Sequence, residues 1–225
     1  MSNSFEYAKK LLGDFGRLII LIVLNLIPFV NWIVVGYDVK VVRESPESVV
    51  PPKLEKYGEL FVDGAKVFFA SLVYMLIPLI LIGAGLGSFI GALDMEGGPG
   101  FMTRGLPTGL PMQSLSILGG TGLVLLLIGA IVAFVMLIIL AAGIAHMIKC
   151  GKFSKAFAFG EILHLIGRIG WGKYLAWIVL VVIISAIVGA LFAIPYVGWL
   201  VSIIIGPALA VFYFRSLGIL YNDGK

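Results

Sequence analysis

The sequence predicts an all-α, polytopic transmembrane helical bundle, and composition and hydropathy carry that prediction. Of the 225 residues, 60% are hydrophobic and 12% charged, whereas a soluble domain carries roughly 25% charged residues. The apolar residues form runs that reach the roughly 20 residues needed for one crossing of a bilayer. Because lipid cannot satisfy an open backbone, such runs are helical unless they close as barrels, and the alternation typical of barrel strands is missing. A water-soluble globular domain is excluded.

The first 44 residues predict a hairpin of two helices over residues 4–44. Their segment 27–32, Ile-Pro-Phe-Val-Asn-Trp, resembles segment 194–199, Ile-Pro-Tyr-Val-Gly-Trp. The later copy must be a turn, since residues 174–221 are too many for one crossing, and by analogy the early copy turns as well. The alternative is a single crossing by residues 18–37, which would give five membrane helices instead of six.

Two further hairpins follow along the chain. Residues 67–148 contain the apolar runs 67–93 and 115–147, joined by an outer loop at 94–113 whose glycines and prolines predict flexibility. Residues 173–221 form the third hairpin. The prediction is therefore about six membrane helices in three hairpins.

The two inner connections predict amphipathic helices at about 53–66 and 152–169. In each, apolar side chains recur on one helical face and charged side chains on the other. We expect both helices to lie at the inner membrane face with their apolar side down. Residues 1–225 then form a single membrane domain.

The distribution of basic residues predicts the orientation. In the three-hairpin arrangement, 15 of the 16 Lys and Arg residues lie on one side and only Arg104 on the other; with a single first crossing the division is 12 to 4. Because basic residues favour the cytoplasmic side, we expect a multi-pass cell-membrane protein with both termini cytoplasmic. The basic residues flank the apolar runs, which indicates contact with membrane lipids and argues against nucleic acid as a partner.

Small residues and prolines are the predicted packing and turn positions. Residues four apart share a helical face and let helix backbones approach in lipid, which predicts packing inside the bundle or a homo-oligomer seam for Gly83, Gly87, Gly91, Ser185, Gly189 and Ala193. Turns are predicted at two prolines and helix bends at two others; these are Pro28 and Pro195, and Pro78 and Pro207.

A polar cluster is predicted at the inner ends of the helices, where charge is tolerated. Its members are Asp38, Arg43, Glu161, His164, Arg168 and Arg215. Ion pairs Asp38–Arg43 or Glu161–Arg168 would lock helices together. Glu161 and His164 are the only neighbouring acid and base, and the single cysteine, Cys150, excludes an intrachain disulfide and a multi-thiolate metal site. We predict no enzyme, no cofactor and no metal.

Three segments together resemble a known family. They are Gly36-Tyr37 followed by Lys40 and Arg43, the run Lys-Leu-Glu-Lys-Tyr-Gly-Glu-Leu-Phe-Val-Asp-Gly at 53–64, and Ala-Phe-Ala-Phe-Gly-Glu-Ile at 156–162. Over roughly residues 5–221 the chain resembles the domain of unknown function 4013 family of multi-pass membrane proteins, found mainly in archaea. The resemblance implies kinship of fold and a prokaryotic plasma membrane, but no activity and no site residues.

The predicted function is a non-enzymatic membrane protein that works by association, as a homo-oligomer or as a subunit of a membrane complex. The alternative is a passive channel or a carrier of lipid or small apolar solutes. Helices rich in small residues and bent at prolines favour the alternative because they can leave a cavity.

Overall fold

The computed structural model describes residues 2–96, 112–192, 194 and 197–225, and every regular element in that part of the chain is helical. The predicted all-α class is thereby confirmed. The helices are α1 (Ser2–Gly13), α2 (Phe15–Leu26), α3 (Trp32–Glu44), α4 (Tyr57–Glu96), α5 (Met112–Cys150), α6 (Phe159–Ile169), α7 (Trp171–Phe192) and α8 (Val197–Asn222), with a 3₁₀-helix at Phe153–Phe157.

Four helical stretches in the described residues are long and apolar enough to cross a membrane. They are Tyr57–Gly91, Gly119–Cys150, Trp171–Leu191 and Ser202–Asn222. Helices α2 and α3 have only 12 and 13 residues, fewer than the roughly 20 that a crossing needs. The predicted count of six membrane helices is therefore not confirmed.

The N-terminal region is divided by two breaks. Asp14 ends the first helix and caps α2, since its side chain accepts a hydrogen bond from the Arg17 backbone N–H (3.1 Å). The second break is a turn between α2 and α3, where Phe29 adopts a left-handed backbone conformation with φ 66°. Residues 18–37 thus form no continuous helix, and Pro28 lies in the turn.

Of the other three predicted turn and bend positions, two lie inside helices and one lies outside the described residues. Pro78 and Pro207 lie inside α4 and α8, which continue through them. Pro195 lies outside the described residues; α7 ends at Phe192 and α8 begins at Val197. Most of the predicted outer loop, residues 97–111, also lies outside them.

The described chain forms two compact units, one from Met1–Ser71 with Ile139–Lys225 and one from Leu72–Ile138. In the first unit α8 is central and packs against α1, α2, α3, α6 and α7. Apolar side chains of α1, α2 and α3 meet α8 in a buried cluster of Tyr7, Leu11, Leu21, Val34, Tyr37, Val41 and Val211.

Helices α3 and α4 cross at two glycines in the first unit. A Cβ atom on Gly36 would overlap the Leu60 carbonyl oxygen, and one on Gly64 would overlap the Trp32 carbonyl oxygen. The backbones are therefore in direct contact. The Trp32 ring covers the crossing, with ring centroids 5.3 Å from Phe61 and 5.1 Å from Phe68.

The second unit is a pair of helical segments from α4 and α5 that also approach at glycines. A Cβ atom on Gly85 would lie 2.8 Å from the Leu126 backbone nitrogen, and one on Gly122 would lie 2.8 Å from that of Phe89. Gly129 fits against Ile82 in the same way. These glycines, which are not among the predicted packing positions, form the contact between the two segments.

The small residues predicted to pack on α4 are not at this contact. Gly83, Gly87 and Gly91 are exposed, and a Cβ atom on each would meet no described atom within 4 Å. Gly85 lies about 200° around the helix from Gly83, so the in-chain contact uses the opposite face of α4. On α7, Gly189 is likewise exposed. Ser185 there hydrogen-bonds the Tyr213 hydroxyl (2.7 Å), and Ala193 lies outside the described residues.

The predicted helix at 53–66 is not a separate element. Helix α4 begins at Tyr57 and continues unbroken to Glu96, because no proline lies between Tyr57 and Pro78 to stop it. Residues 57–66 of the predicted segment are instead the first residues of this long helix.

Helix α6 occupies most of the predicted segment 152–169, but its apolar face is covered by protein. Ile162, Leu165, Ile166 and Ile169 are buried on one face, and α6 packs against α7 and α8. The close fit of Gly224, whose Cβ would lie 3.0 Å from Leu165 Cδ1, shows the C-terminal tail against the same face. The face predicted to rest on lipid rests on the chain itself.

Candidate functional site

Arg215, on α8, lies at the centre of a buried polar network. Its side chain is buried, and the residue is only 1% exposed. Nη1 donates to Ser45 Oγ (3.0 Å) and Nη2 to the Pro46 carbonyl oxygen (2.9 Å). The guanidinium carbon lies 4.5 Å from the centroid of the Tyr7 ring, within the range of a cation–π interaction. These direct partners are uncharged.

The segment after α3 is held in place from several helices. The Ser45 carbonyl oxygen accepts hydrogen bonds from Asn222 Nδ2 (2.9 Å) and from Lys149 Nζ. The fully buried Ser45 hydroxyl donates to the Val41 carbonyl oxygen (2.7 Å). Gly218 leaves room for this residue, since a Cβ there would lie 2.6 Å from Ser45 Cβ. The turn thus joins the ends of α3, α5 and α8.

A second polar group surrounds His146 at the end of α5. Nε2 lies 2.8 Å from Glu161 Oε2 and Nδ1 lies 3.0 Å from the Tyr221 hydroxyl. A carboxylate can only accept, so Nε2–H donates to Glu161. The hydrogen bond from Lys155, together with that from His146, lowers the pKa of Glu161. These contacts join α5, α6 and α8.

Cys150 lies beside this group. Its sulfur is 3.8 Å from both ring nitrogens of His146, and both nitrogens already have closer oxygen partners. Cys150 is an exposed free thiol next to this histidine.

The two predicted ion pairs are wrong. Arg43 pairs with Asp63 of α4 (2.8 Å) rather than with Asp38, because residues five apart are about 140° apart on a helix. Asp38 is buried, at 3% exposed.

The remaining members of the predicted cluster are also separated. Glu161 pairs with Lys155 and His146, whereas Arg168 Nη1 donates to the Lys225 carbonyl oxygen (3.4 Å). His164 is exposed. Sequence reasoning missed Ser45, Lys149 and Tyr221 as members of the network. Among the described residues, no group of three or more His, Cys, Asp or Glu side chains could hold a metal ion.

An open groove lies between α1, α7 and α8 in the first unit. Its apolar part has a volume of about 560 Å³, within the range of roughly 300–1,000 Å³ typical of ligand pockets. It is lined by Phe5, Ala8, Lys9 and Leu12 of α1, Ile184 and Val188 of α7, and Ile205, Ala208, Leu209 and Phe212 of α8. A second cavity of about 260 Å³ lies between the same helices and is lined in part by Ser4, Lys173, Trp177, Ser216 and Asp223.

Comparison with known families agrees with the resemblance seen in the sequence. The family model described as protein of unknown function (DUF4013) matches residues 20–197, which is most of the chain. The chain belongs to this family. No curated protein and no solved structure matches it. The matched region of this DUF4013 protein includes the α3–α4 crossing at Gly36 and Gly64, which gives two glycines of the resembling segments a physical role.

Proposed function

We propose that this DUF4013 protein is a non-enzymatic membrane protein that works by association, with a second copy or with a partner membrane protein. The observation that carries the proposal is the division of α4 into two glycine faces. Gly85 faces α5 in backbone contact, while Gly83, Gly87 and Gly91 face away from it and are exposed.

Glycine at a membrane helix surface has a physical consequence. Without a Cβ, two backbones approach closely, and van der Waals contact then drives association in lipid. Gly85 and Gly122 already do this inside the chain. The outward glycines offer a second helix the same opportunity. Large apolar side chains such as Leu79 and Ile80, 56% and 62% exposed, would pack around that seam.

Disulfide cross-linking in native membranes tests the association. In a Cys150→Ser background, Gly87→Cys should form a covalent adduct on mild oxidation, because a seam at this residue brings backbones within the roughly 7 Å that a disulfide allows. Leu86→Cys is the matched control, about 100° away on the same helix, and should form several-fold less adduct. A mass of twice the chain indicates a homo-oligomer, and another mass indicates a complex subunit. Equal, low adduct from both variants, with a monomeric mass in mild detergent, would contradict the proposal.

The polar network supports a non-enzymatic role. Arg215, Lys149 and His146 each contact groups that fix the inner helix ends together, and Glu161 and His164, the acid and base considered for catalysis, are both exposed. These contacts hold the inner helix ends in fixed positions.

We also propose the cell membrane as the location, with both termini cytoplasmic. Ser4 near one terminus and Asp223 near the other line the same 260 Å³ cavity, which supports placing the two chain ends on one side. The bias of basic residues toward the inner connections assigns that side to the cytoplasm.

Carriage of lipid or a small apolar solute is a second candidate. The apolar groove between α1, α7 and α8 favours it, since its walls include side chains such as Ile184 and Phe212 that suit an apolar ligand. Flux of lipid analogues across liposomes that contain the purified protein measures this activity.

A further inference from the structure

We propose that the groove between α1, α7 and α8 is a binding site for one membrane phospholipid with a zwitterionic head group. Its acyl chain lies in the 560 Å³ apolar part, and its phosphate and ammonium groups lie at the cavity lined by Ser4, Lys173 and Asp223. The inference uses the groove that favours the second candidate function, but it concerns binding and not transport.

The two cavities follow the same face of each helix. On α7 the lining residues run from Lys173 through Trp177 and Leu180 to Ile184 and Val188, at the three- and four-residue spacing of one helical face. The lining residues of α8 run from Asp223 back to Ile205 with the same spacing. The cavities are thus successive parts of one crevice, which is polar at the end nearer the chain termini and apolar beyond it.

The length of the crevice suits an acyl chain. The fifteen steps from Lys173 to Val188 correspond to roughly 22 Å of helix at about 1.5 Å per residue. The hydrocarbon depth of one leaflet is roughly 15 Å, half of the bilayer core. A chain that entered from the polar end would therefore be covered by helix over its full depth.

The polar end contains an unused hydrogen-bonding group. Ser4 is fully buried, and its hydroxyl has no hydrogen-bond partner among the described residues, although it lines the smaller cavity. A buried hydroxyl without a partner is costly. A phosphate oxygen in this cavity would accept its hydrogen bond. The neighbouring Trp177 indole is already used, since it donates to Ser216 Oγ (3.0 Å).

Charge complementarity selects a zwitterionic head group. Lys173 Nζ and Asp223 Oδ2 form an ion pair (2.6 Å) between the ends of α7 and α8, and both side chains are about half exposed. At this end one cation beside one anion complements a phosphate beside an ammonium group; the other charged lining residue, Lys9, is exposed and lines the larger cavity. A lipid with only negative charge would meet the Asp223 carboxylate, and such like-charge contact opposes binding.

Native mass spectrometry of the full chain in mild detergent tests this inference. After delipidation, phosphatidylethanolamine should bind with one lipid per chain and about tenfold more tightly than phosphatidylglycerol. Ser4→Ala should weaken binding by about tenfold, which corresponds to one hydrogen bond to a charged group. Equal binding of the two lipids, or no effect of Ser4→Ala, would overturn the assignment of the head group.

A filling variant tests the apolar part. Val188→Trp places an indole in the groove and should abolish retention of the lipid. Val182→Trp, a matched change at an exposed position on the other side of α7, should leave it intact. Retention by both variants, or displacement of the lipid by a second copy of the chain, would overturn the inference. Transport is tested separately. Lipid flux without specific binding would support the second candidate function but not this site. Binding of one lipid per chain without flux would support this site and contradict the second candidate function.

Discussion

At the scale of single residues, Arg215 is a buried cation among the described helices. A buried cation needs partners for its donors. Here Ser45 Oγ, the Pro46 carbonyl and the Tyr7 ring contact the guanidinium, while Nε has no hydrogen-bond partner among the described residues. Arginine suits this site because two of its nitrogens donate in different directions from one rigid plane. Lysine has a point charge and no such plane.

Arg215→Lys should therefore destabilise the protein while keeping the charge. Loss of one hydrogen bond to a charged group and of the stacking geometry predicts a decrease in the free energy of unfolding of about 2–4 kcal/mol. Thermal unfolding in detergent, followed by tryptophan fluorescence, measures it. Arg168→Lys, at an exposed arginine, is the control and should unfold near the wild-type temperature. Equal unfolding temperatures for the two variants would show that the buried contacts contribute little.

At the scale of elements, helix crossings in this chain depend on individual glycines. Gly36 and Gly64 set the distance between α3 and α4, and Gly85 and Gly122 that between α4 and α5. Small residues at helix contacts are typical of membrane proteins, where no hydrophobic force draws helices together.

Gly64→Ala tests the α3–α4 crossing. Its methyl group would overlap the Trp32 carbonyl oxygen, so the helices must separate, and overpacking of this kind costs about 1–3 kcal/mol despite the better helix propensity of alanine. Gly58→Ala lies in the first turn of the same helix with no atom within 4 Å of its Cβ, and propensity alone should stabilise it by up to about 1 kcal/mol. Unfolding temperatures that move in the same direction for both variants would contradict the close crossing.

The elements also show what could be predicted from sequence. Hydropathy gave the helical class and the long helices, and the proline motif gave the turn at Pro28, because these are local signals. The break at Asp14 was missed although an acidic residue three positions before Arg17 at the start of an apolar run is a helix-cap signal. The partners of Arg215 are 169 and 170 residues away, and no local pattern specifies them. Glycine spacing identified α4 as a packing helix but could not select its inward face, since that depends on where the neighbouring helix lies.

At the scale of the whole molecule, the single thiol reports the orientation of the chain. Cys150 is exposed at the end of α5, next to the basic connection that we place in the cytoplasm. The other end of α5 follows the segment 97–111. Because the apolar stretch Gly119–Cys150 is long enough to cross once, the two ends should lie on opposite sides.

Labelling of intact cells checks this orientation. A membrane-impermeant maleimide should leave Cys150 unmodified until the cells are opened. Thr103→Cys, combined with Cys150→Ser, should be labelled from outside without opening. Reaction of Cys150 in sealed cells would reverse the proposed orientation, and equal protection of both positions would contradict a crossing by α5.

The long-range hydrogen bonds at Ser45 have a consequence for biosynthesis. Arg215 and Asn222 are 170 and 177 residues from Ser45 in sequence. These hydrogen bonds therefore cannot form until α8 has been synthesised. At a synthesis rate of roughly 5–20 residues per second, that delay is on the order of 10–35 s. During that interval the nascent N-terminal segment lacks its contacts with α8. A membrane insertase or quality-control protease therefore has access to the segment at this stage.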